Sequence, residues 1–271
     1  MPVKPNRTLR RLRAGESVFG AASVLGQLSV PSLYAAAGLD FIWLDLEHTL
    51  TDPQQIGILV QQARLAGITP IVRTPGLVPG LIRQLLDNGA QGIVLPFVES
   101  RREVEDLVST CRFHPRGRRG IASPLLANDF TATSVLEHVE QSDAEVLVAI
   151  QVESLSAVER VDELLGVEGL DVAIVGMVDL SISCGVPGEV SHPRVLEAAE
   201  LVLEAAVSAG IAAGIAGFQS TGAGSPVTEW QLRGARFFHL FGDLELLADS
   251  IDREVRRVDI EGHRDSGIPE A

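Results

Sequence analysis

Eight short apolar runs, set between stretches with apolar residues at helical spacing, place the narrowest limit on what this chain can fold into. The runs fall at 18–23, 41–46, 70–73, 92–95, 146–152, 172–175, 212–216 and 237–241. Helical patterns lie at 53–66, 81–88, 101–111, 156–165, 193–209 and 244–257. Near-continuous runs rich in Val, Ile and Ala are what a parallel strand covered on both faces requires. Pro53 and Pro193 suit first-turn positions, and Gly67 and Gly89 fall where helices would stop. Eight such alternations within 271 residues predict a single (β/α)8 barrel domain with its core between about 15 and 257, and its site at the C-terminal strand ends. An open doubly wound sheet is the alternative. No Gly-x-Gly-x-x-Gly loop follows the first run, which weighs against a dinucleotide-binding form of it.

The polar start, up to about Gly15, and the charged end at 259–271 are expected to be loosely held. The connection at 113–145 is too long for a tight barrel loop and carries a short helical pattern at 134–141. Insertions of that length are often lids or interface arms, and this one is expected to cover the active site.

Charge excludes several classes of partner. The chain has 36 acidic and 22 basic residues and a formal net charge of −14, with Arg116-Gly117-Arg118-Arg119 one of its few short basic runs. Neither nucleic acid nor an anionic membrane surface is an expected partner. No apolar stretch approaches the roughly 20 residues that cross a bilayer. Cys111 and Cys184 have no metal-site spacing and read as ordinary thiols of a cytoplasmic protein.

The predicted strand ends carry the chemistry. Glu153 follows the run 146–152, and Asp179 closes the stretch 171–179. Two carboxylates with waters and substrate oxygens suit a hard divalent ion such as Mg²⁺ or Mn²⁺, although Asp179 could instead cap the following helix. The run 41–46 leads through Asp45 to Glu47 and His48. A carboxylate beside an imidazole fixes its tautomer and raises its basicity, which suits a general base; the alternative is a surface histidine. Arg73 ends a strand, where its planar fork could meet a carboxylate of a ligand or pair internally with Asp45 or Glu47. Gln151 shares the strand face of Glu153 and could orient a metal's surroundings. His239 lies inside the last run and is expected to be a packing residue of the core. Lys4 is the only lysine, and it lies far in sequence from every strand end, so catalysis through a lysine imine is close to excluded.

Motifs recur in a telling order: Leu44-Asp45-Leu46-Glu47-His48, Pro70-Ile71-Val72-Arg73, 85–91 (LLDNGAQ), 95–99 (LPFVE), Arg119-Gly120, Gln151-Val152-Glu153, 176–181 (GMVDLS) and His192-Pro193. Together they resemble the HpcH/HpaI aldolase family of metal-dependent pyruvate aldolases. The resemblance implies a (β/α)8 barrel whose final helix is exchanged between subunits of a homohexamer, a trimer of dimers. It implies Glu153 and Asp179 as ligands of Mg²⁺, Mn²⁺ or Co²⁺, Arg73 as the group that binds a 2-oxo acid, and His48 as a catalytic base partnered by Asp45. It further implies substrate contacts from Gln151, from Gly176, Met177 and Val178, and from Ala216, with Asp87 reaching a partner subunit's site. Three departures from the family pattern stand out: Gly176-Met177-Val178-Asp179 where the family has Gly-Pro-Ala-Asp, which could reshape the oxo-acid pocket, no arginine in 123–127, and Phe241 in place of glycine. The expected reaction is reversible aldol cleavage or condensation between the enolate of pyruvate or oxaloacetate and an aldehyde. Oxaloacetate decarboxylation and a citrate-forming condensation are the alternatives for the same site.

Overall fold

The computed structural model describes residues 3–122, 134–218 and 226–257. Its strands are β1 (Val18–Ser23), β2 (Phe41–Asp45), β3 (Thr69–Arg73), β4 (Gly92–Leu95), β5 (Leu147–Val152), β6 (Val172–Gly176), β7 (Ala212–Ala216) and β8 (Ala235–Gly242). They pair in chain order, all parallel, and β8 returns to β1 to close the barrel. The doubly wound alternative is thereby excluded. Every expected strand is present, with ends moved by at most two residues.

The helices before β5 are α1 (Arg7–Arg13), α2 (Val30–Ala36), α3 (Pro53–Ala66), α4 (Pro79–Asp87), α5 (Arg101–Cys111) and α6 (Val135–Glu145). Those after it are α7 (Leu155–Glu159), α8 (Val161–Leu165), α9 (Met177–Ser183), α10 (Pro193–Ser208), α11 (Pro226–Leu232) and α12 (Asp243–Arg257). Local signals place several ends. Asp52 caps α3 through the Gln55 amide, Pro53 opens that helix, and Gly67 ends it at φ +78°. Ser100 and Ser134 open α5 and α6 with reciprocal capping boxes to Glu103 and Glu137.

Strand periodicity sorts the side chains into two cores. Outward-facing residues such as Ile42, Leu44, Val72, Ile93 and Val148 pack under the helices. Inward-facing ones, Phe41 and Trp43, Ile71, Val94, Leu147 and Ala149, Val172 and Ile174, and Phe237, fill the barrel. Large rings need small neighbours: Phe41 stacks on Phe237 at 4.3 Å, and a Cβ on Gly20 would lie 2.3 Å from the Phe41 ring. Following each inward row upward gives the polar layer: Phe41–Trp43–Asp45, Ile71–Arg73, Leu147–Ala149–Gln151–Glu153 and Phe237–His239. The apolar plug below holds this layer at the C-terminal mouth.

One expectation is corrected here, and a second falls largely on residues outside those described. The N-terminal segment is not loose, because α1 seals the barrel's lower end. Its alternation of Arg with Leu9 and Leu12 looks polar on average, yet both leucines are buried in the inner core. Asn6 is fully buried, caps α1 through the Leu9 amide, and donates to the carbonyls of Gln91 and Glu145 at 2.8 and 3.0 Å. Arg10, Arg11 and Arg13 pair with Glu145, Asp40 and Asp171. The described parts of the 113–145 connection do not cover the mouth either. Arg119 is buried against Phe113 and binds Asp87 at 2.9 Å, and α6 ends at Glu145 beside Asn6, at the lower end. Residues 123–133, where a cover would have to lie, and the charged end at 259–271 are outside the described residues. The expected helix at 156–165 is split at Arg160 into α7 and α8.

Candidate active site

A cavity of about 400 Å³ opens at the C-terminal mouth, lined by Trp43, Asp45, His48, Arg73, Gln151, Gly176, Met177, Val178, Asp179, Ala216 and His239, with Val24, Gly242, Leu244 and Glu245 around them. Nine of the eleven residues singled out in the sequence line it. Glu153 lies behind Gln151, buried to 2% exposure, and Asp87 does not line it: at the C-terminal end of α4 it binds Arg119.

Glu153 is a buried carboxylate without a cationic partner among the described residues. Its Oε1 accepts from the Phe97 amide at 2.8 Å and its Oε2 from Gln151 Nε2 at 3.2 Å. Burial pushes its pKa up to about 7; the Phe97 amide pulls the other way, and the nearby charges of Asp179 and Glu47 add to the rise. Phe97 supplies that amide from a left-handed backbone conformation, φ 48°. Gly176 passes so close that a Cβ there would sit 2.3 Å from Glu153 Oε2. Asp179 stands in the first turn of α9, half-buried, and makes no hydrogen bond or ion pair among the described residues. It does not cap α9, where Gly176 occupies the capping position without a side-chain bond.

Arg73 is the electrostatic centre. Its Nε and Nη2 donate to Asp45 Oδ1 and Oδ2 at 3.0 and 2.7 Å, a two-pronged pair across the β2–β3 register. Nη1 lies 2.9 Å from Glu47 Oε2 and 3.4 Å from Gln151 Oε1, and the guanidinium carbon sits 5.5 Å from the Trp43 ring centre. The internal pairing weighed as an alternative is thus the one present. The two-pronged face of Arg73 is taken up by Asp45, and Nη1 is the edge left toward Gln151. Burial raises the Asp45 carboxyl pKa, but the hydrogen bonds and charge of Arg73 outweigh it and hold the group below its ordinary value.

His48 differs from expectation in its partner. Its side chain is 60% exposed at the rim, with Nε2 3.6 Å from Glu47 Oε2. Asp45 is turned to Arg73 and to the Glu47 amide at 2.9 Å, so no hydrogen bond from Asp45 fixes the imidazole. Glu47 Oε2 lies between Arg73 and His48 but lacks a partner in hydrogen-bond geometry, and burial raises its pKa against the pull of those two groups.

Two residues were missed in the sequence. His239 is not core packing but part of the cavity wall, its ring edge-on to Trp43 at 5.2 Å, and burial beside Arg73 lowers its pKa to about 4. Its signal was available, since it stands two residues above inward-facing Phe237. Glu245 lines the cavity from the start of α12 and accepts from the Gly242 amide at 3.2 Å. Nothing in the periodicity marked it.

Among the described residues no group of three or more His, Cys, Asp or Glu is arranged to hold a metal ion. Glu153 and Asp179, with Glu47 close to both, offer oxygen donors only. That donor set suits a hard ion completed by water and substrate oxygens.

Comparison with known proteins places the chain among its relatives. The family described as HpcH/HpaI aldolase/citrate lyase matches residues 28–221. A hydroxypyruvate/pyruvate aldolase of Pseudomonas aeruginosa is 37% identical over 216 residues, 79% of this chain and 80% of that protein. An HpcH/HpaI aldolase from Desulfitobacterium hafniense superposes with a TM-score of 0.86 at 32% identity, covering 92% of this chain and 95% of its own. The citrate synthase SbnG gives a TM-score of 0.83 at 26% identity, covering 94% and 98%. The chain belongs to the HpcH/HpaI aldolase/citrate lyase family.

Proposed function

We propose that the protein is a metal-dependent aldolase that makes and breaks a carbon–carbon bond between the enolate of a 2-oxo acid, such as pyruvate or oxaloacetate, and an aldehyde. The observation that carries this reading is Glu153, a buried carboxylate that no cationic side chain contacts among the described residues, with a pKa pushed up to about 7 by burial and standing near Asp179, which makes no hydrogen bond or ion pair there. A site that concentrates uncompensated carboxylates and spares no lysine fits a divalent ion. Glu153 and Asp179 would hold Mg²⁺, Mn²⁺ or Co²⁺, which when bound supplies Lewis acidity for the keto oxygen of the substrate.

The chain's own groups do the rest. Arg73, fixed by Asp45, presents Nη1 beside Gln151, where it can stabilise negative charge that develops on the oxo acid. The backbone of Gly176, Met177 and Val178 and the wall at Ala216 bound the place for the substrate carboxylate. His48, exposed at the rim and balanced by Glu47, takes the proton of the aldol hydroxyl through a water during cleavage and returns it during condensation. Asp45 acts by fixing Arg73 rather than by touching His48.

The test is product analysis by mass spectrometry with pyruvate and a panel of aldehydes, before and after chelation and with Mn²⁺ restored. Metal-dependent aldol products support the reading; full activity after thorough chelation refutes it. A second reading, a citrate-forming condensation, is favoured by the likeness to the citrate synthase SbnG. Oxaloacetate turnover without an aldehyde, giving either pyruvate or a condensed tricarboxylate, separates these outcomes.

We further infer a homo-oligomer, a hexamer built as a trimer of dimers. Of α12 only Asp243 is buried, while Leu244, Leu247 and Ile251 stand exposed. An amphipathic helix left that bare fits one exchanged onto a partner subunit, where Asp87 would also approach the neighbouring site. Among the described residues no helix is long and apolar enough to cross a membrane, and Cys111 and Cys184 are free thiols, which suits the cytoplasm.

A further inference from the structure

The cavity has two unlike sides. Of the groups assigned above to the oxo acid, Gln151 on β5 stands across the closed barrel from β1, while Val24, His239, Leu244 and Glu245 form a wall from the ends of β1 and β8 and the start of α12. That wall is where a second substrate must lie. Its apolar part is Val24 and Leu244. Its one charged member is Glu245, whose carboxylate is tethered at the rim by the Gly242 amide.

The charges of the whole site point the same way. Asp45, Glu47, Glu153, Asp179 and Glu245 set five carboxylates against one guanidinium, Arg73, and the rim imidazole of His48. Even with a divalent ion bound, the oxo acid's own carboxylate leaves an excess of negative charge. Arg73 cannot serve a second anion, because its two-pronged face is bonded to Asp45 and Nη1 lies against Glu47. His239 adds no positive charge, since burial holds it neutral at ordinary pH. The segments 123–133 and 219–225 contain no lysine, arginine or histidine, and the end at 258–271 sets Arg264 and His263 against Asp259, Glu261, Asp265 and Glu270.

We propose that the second substrate of this site is an uncharged aldehyde, and that Glu245 is the specificity-determining residue that turns away aldehydes bearing a carboxylate. An anionic aldehyde would give up its water against like charges with no cation to meet it. An uncharged one meets Val24 and Leu244 with its carbon chain and finds His239 as a neutral hydrogen-bonding group for a hydroxyl. The inference rests on the aldolase reading above.

The experiment measures kcat/KM of the Mn²⁺-loaded enzyme, with pyruvate, for two carbon-matched pairs: glycolaldehyde against glyoxylate, and butyraldehyde against succinate semialdehyde. Intrinsic reactivities differ, so the quantity read is the change in each uncharged-to-anionic ratio on substitution. The parent is expected to favour the uncharged butyraldehyde at least tenfold over its anionic match. Glu245→Gln keeps an acceptor for the Gly242 amide and should lower both ratios severalfold, and Glu245→Arg should lower them tenfold or more. Added salt should narrow the parent's ratio and leave that of Glu245→Gln nearly level. A parent that prefers succinate semialdehyde, or ratios unchanged in both variants, overturns the proposal. Exchange of pyruvate methyl hydrogens for deuterium needs no aldehyde and tests the aldolase reading separately. If it is absent in the metal-loaded enzyme, that reading and this inference fall together; if it is present with unaltered ratios, the inference alone falls.

Discussion

Replacing Glu153 by Gln should stabilise the metal-free protein, and by an amount that depends on pH. The folded chain raises the Glu153 pKa from its ordinary 4.5 to about 7. Its proton is therefore held more tightly folded than unfolded. Stability falls as pH rises from about 4.5 to about 7 and is level on either side of that window. Each pKa unit corresponds to about 1.4 kcal/mol, so the buried charge costs about 3 kcal/mol at pH 8. The substituted glutamine carries no charge and escapes this cost. Its Oε1 can still accept from the Phe97 amide, while its amide nitrogen needs Gln151 to turn its own amide over, which offsets part of the gain. Urea unfolding of both proteins in chelator, at several pH values, should give nearly equal stabilities near pH 4.5 and a variant more stable by about 2–3 kcal/mol at pH 8. At about 2–4 °C per kcal/mol, a thermal scan resolves that difference. Adding Mn²⁺ should invert the order, because only the parent retains the ligand. A difference that does not vary with pH, or a variant weaker than the parent at pH 8 in chelator, would refute the account of Glu153 as a charge awaiting a cation.

Arg73→Lys should lower kcat/KM for oxo-acid turnover by about 10²-fold or more, because a point charge cannot hold both Asp45 oxygens and still present a donor beside Gln151; oxalate binding measured by calorimetry should weaken in step. Gly176→Ala should weaken Mn²⁺ binding while far-ultraviolet circular dichroism stays the same, since the new methyl would sit 2.3 Å from Glu153 Oε2 and the native φ of −87° is open to alanine; unchanged metal affinity would show that Glu153 is not a ligand. His48→Ala should slow aldol cleavage by about 10²–10⁴-fold and oxaloacetate decarboxylation far less, because only cleavage needs a proton removed from a hydroxyl. Equal losses in both reactions with metal still bound would remove His48 from the role of base.

Some of this was open to reading in one dimension. A parallel strand covered on both faces must be apolar throughout, and the eight such runs matched the eight strands almost residue for residue. The polar strand ends at Asp45, Arg73, Gln151 and Glu153 were visible because they break those runs. Helices shorter than about two turns were not visible: α1, α2, α9 and α11 are held by packing rather than by a long stripe of their own.

What the sequence determined by itself was therefore the architecture and the list of strand-end groups, since both depend on hydropathy and periodicity, which are local properties. What tertiary structure decided was the partnership among those groups. Asp45 and Arg73 lie 28 positions apart, and only the β2–β3 register joins them, taking Asp45 away from His48 and leaving the histidine to Glu47. His239 became a wall of the cavity only when β8 closed against β1 and set it edge-on to Trp43. Arg7–Arg13 became the floor of the barrel only because Asn6 found carbonyls 85 and 139 residues away. Contacts at such separations are set by barrel closure, and no local pattern of residues records which group will stand opposite which.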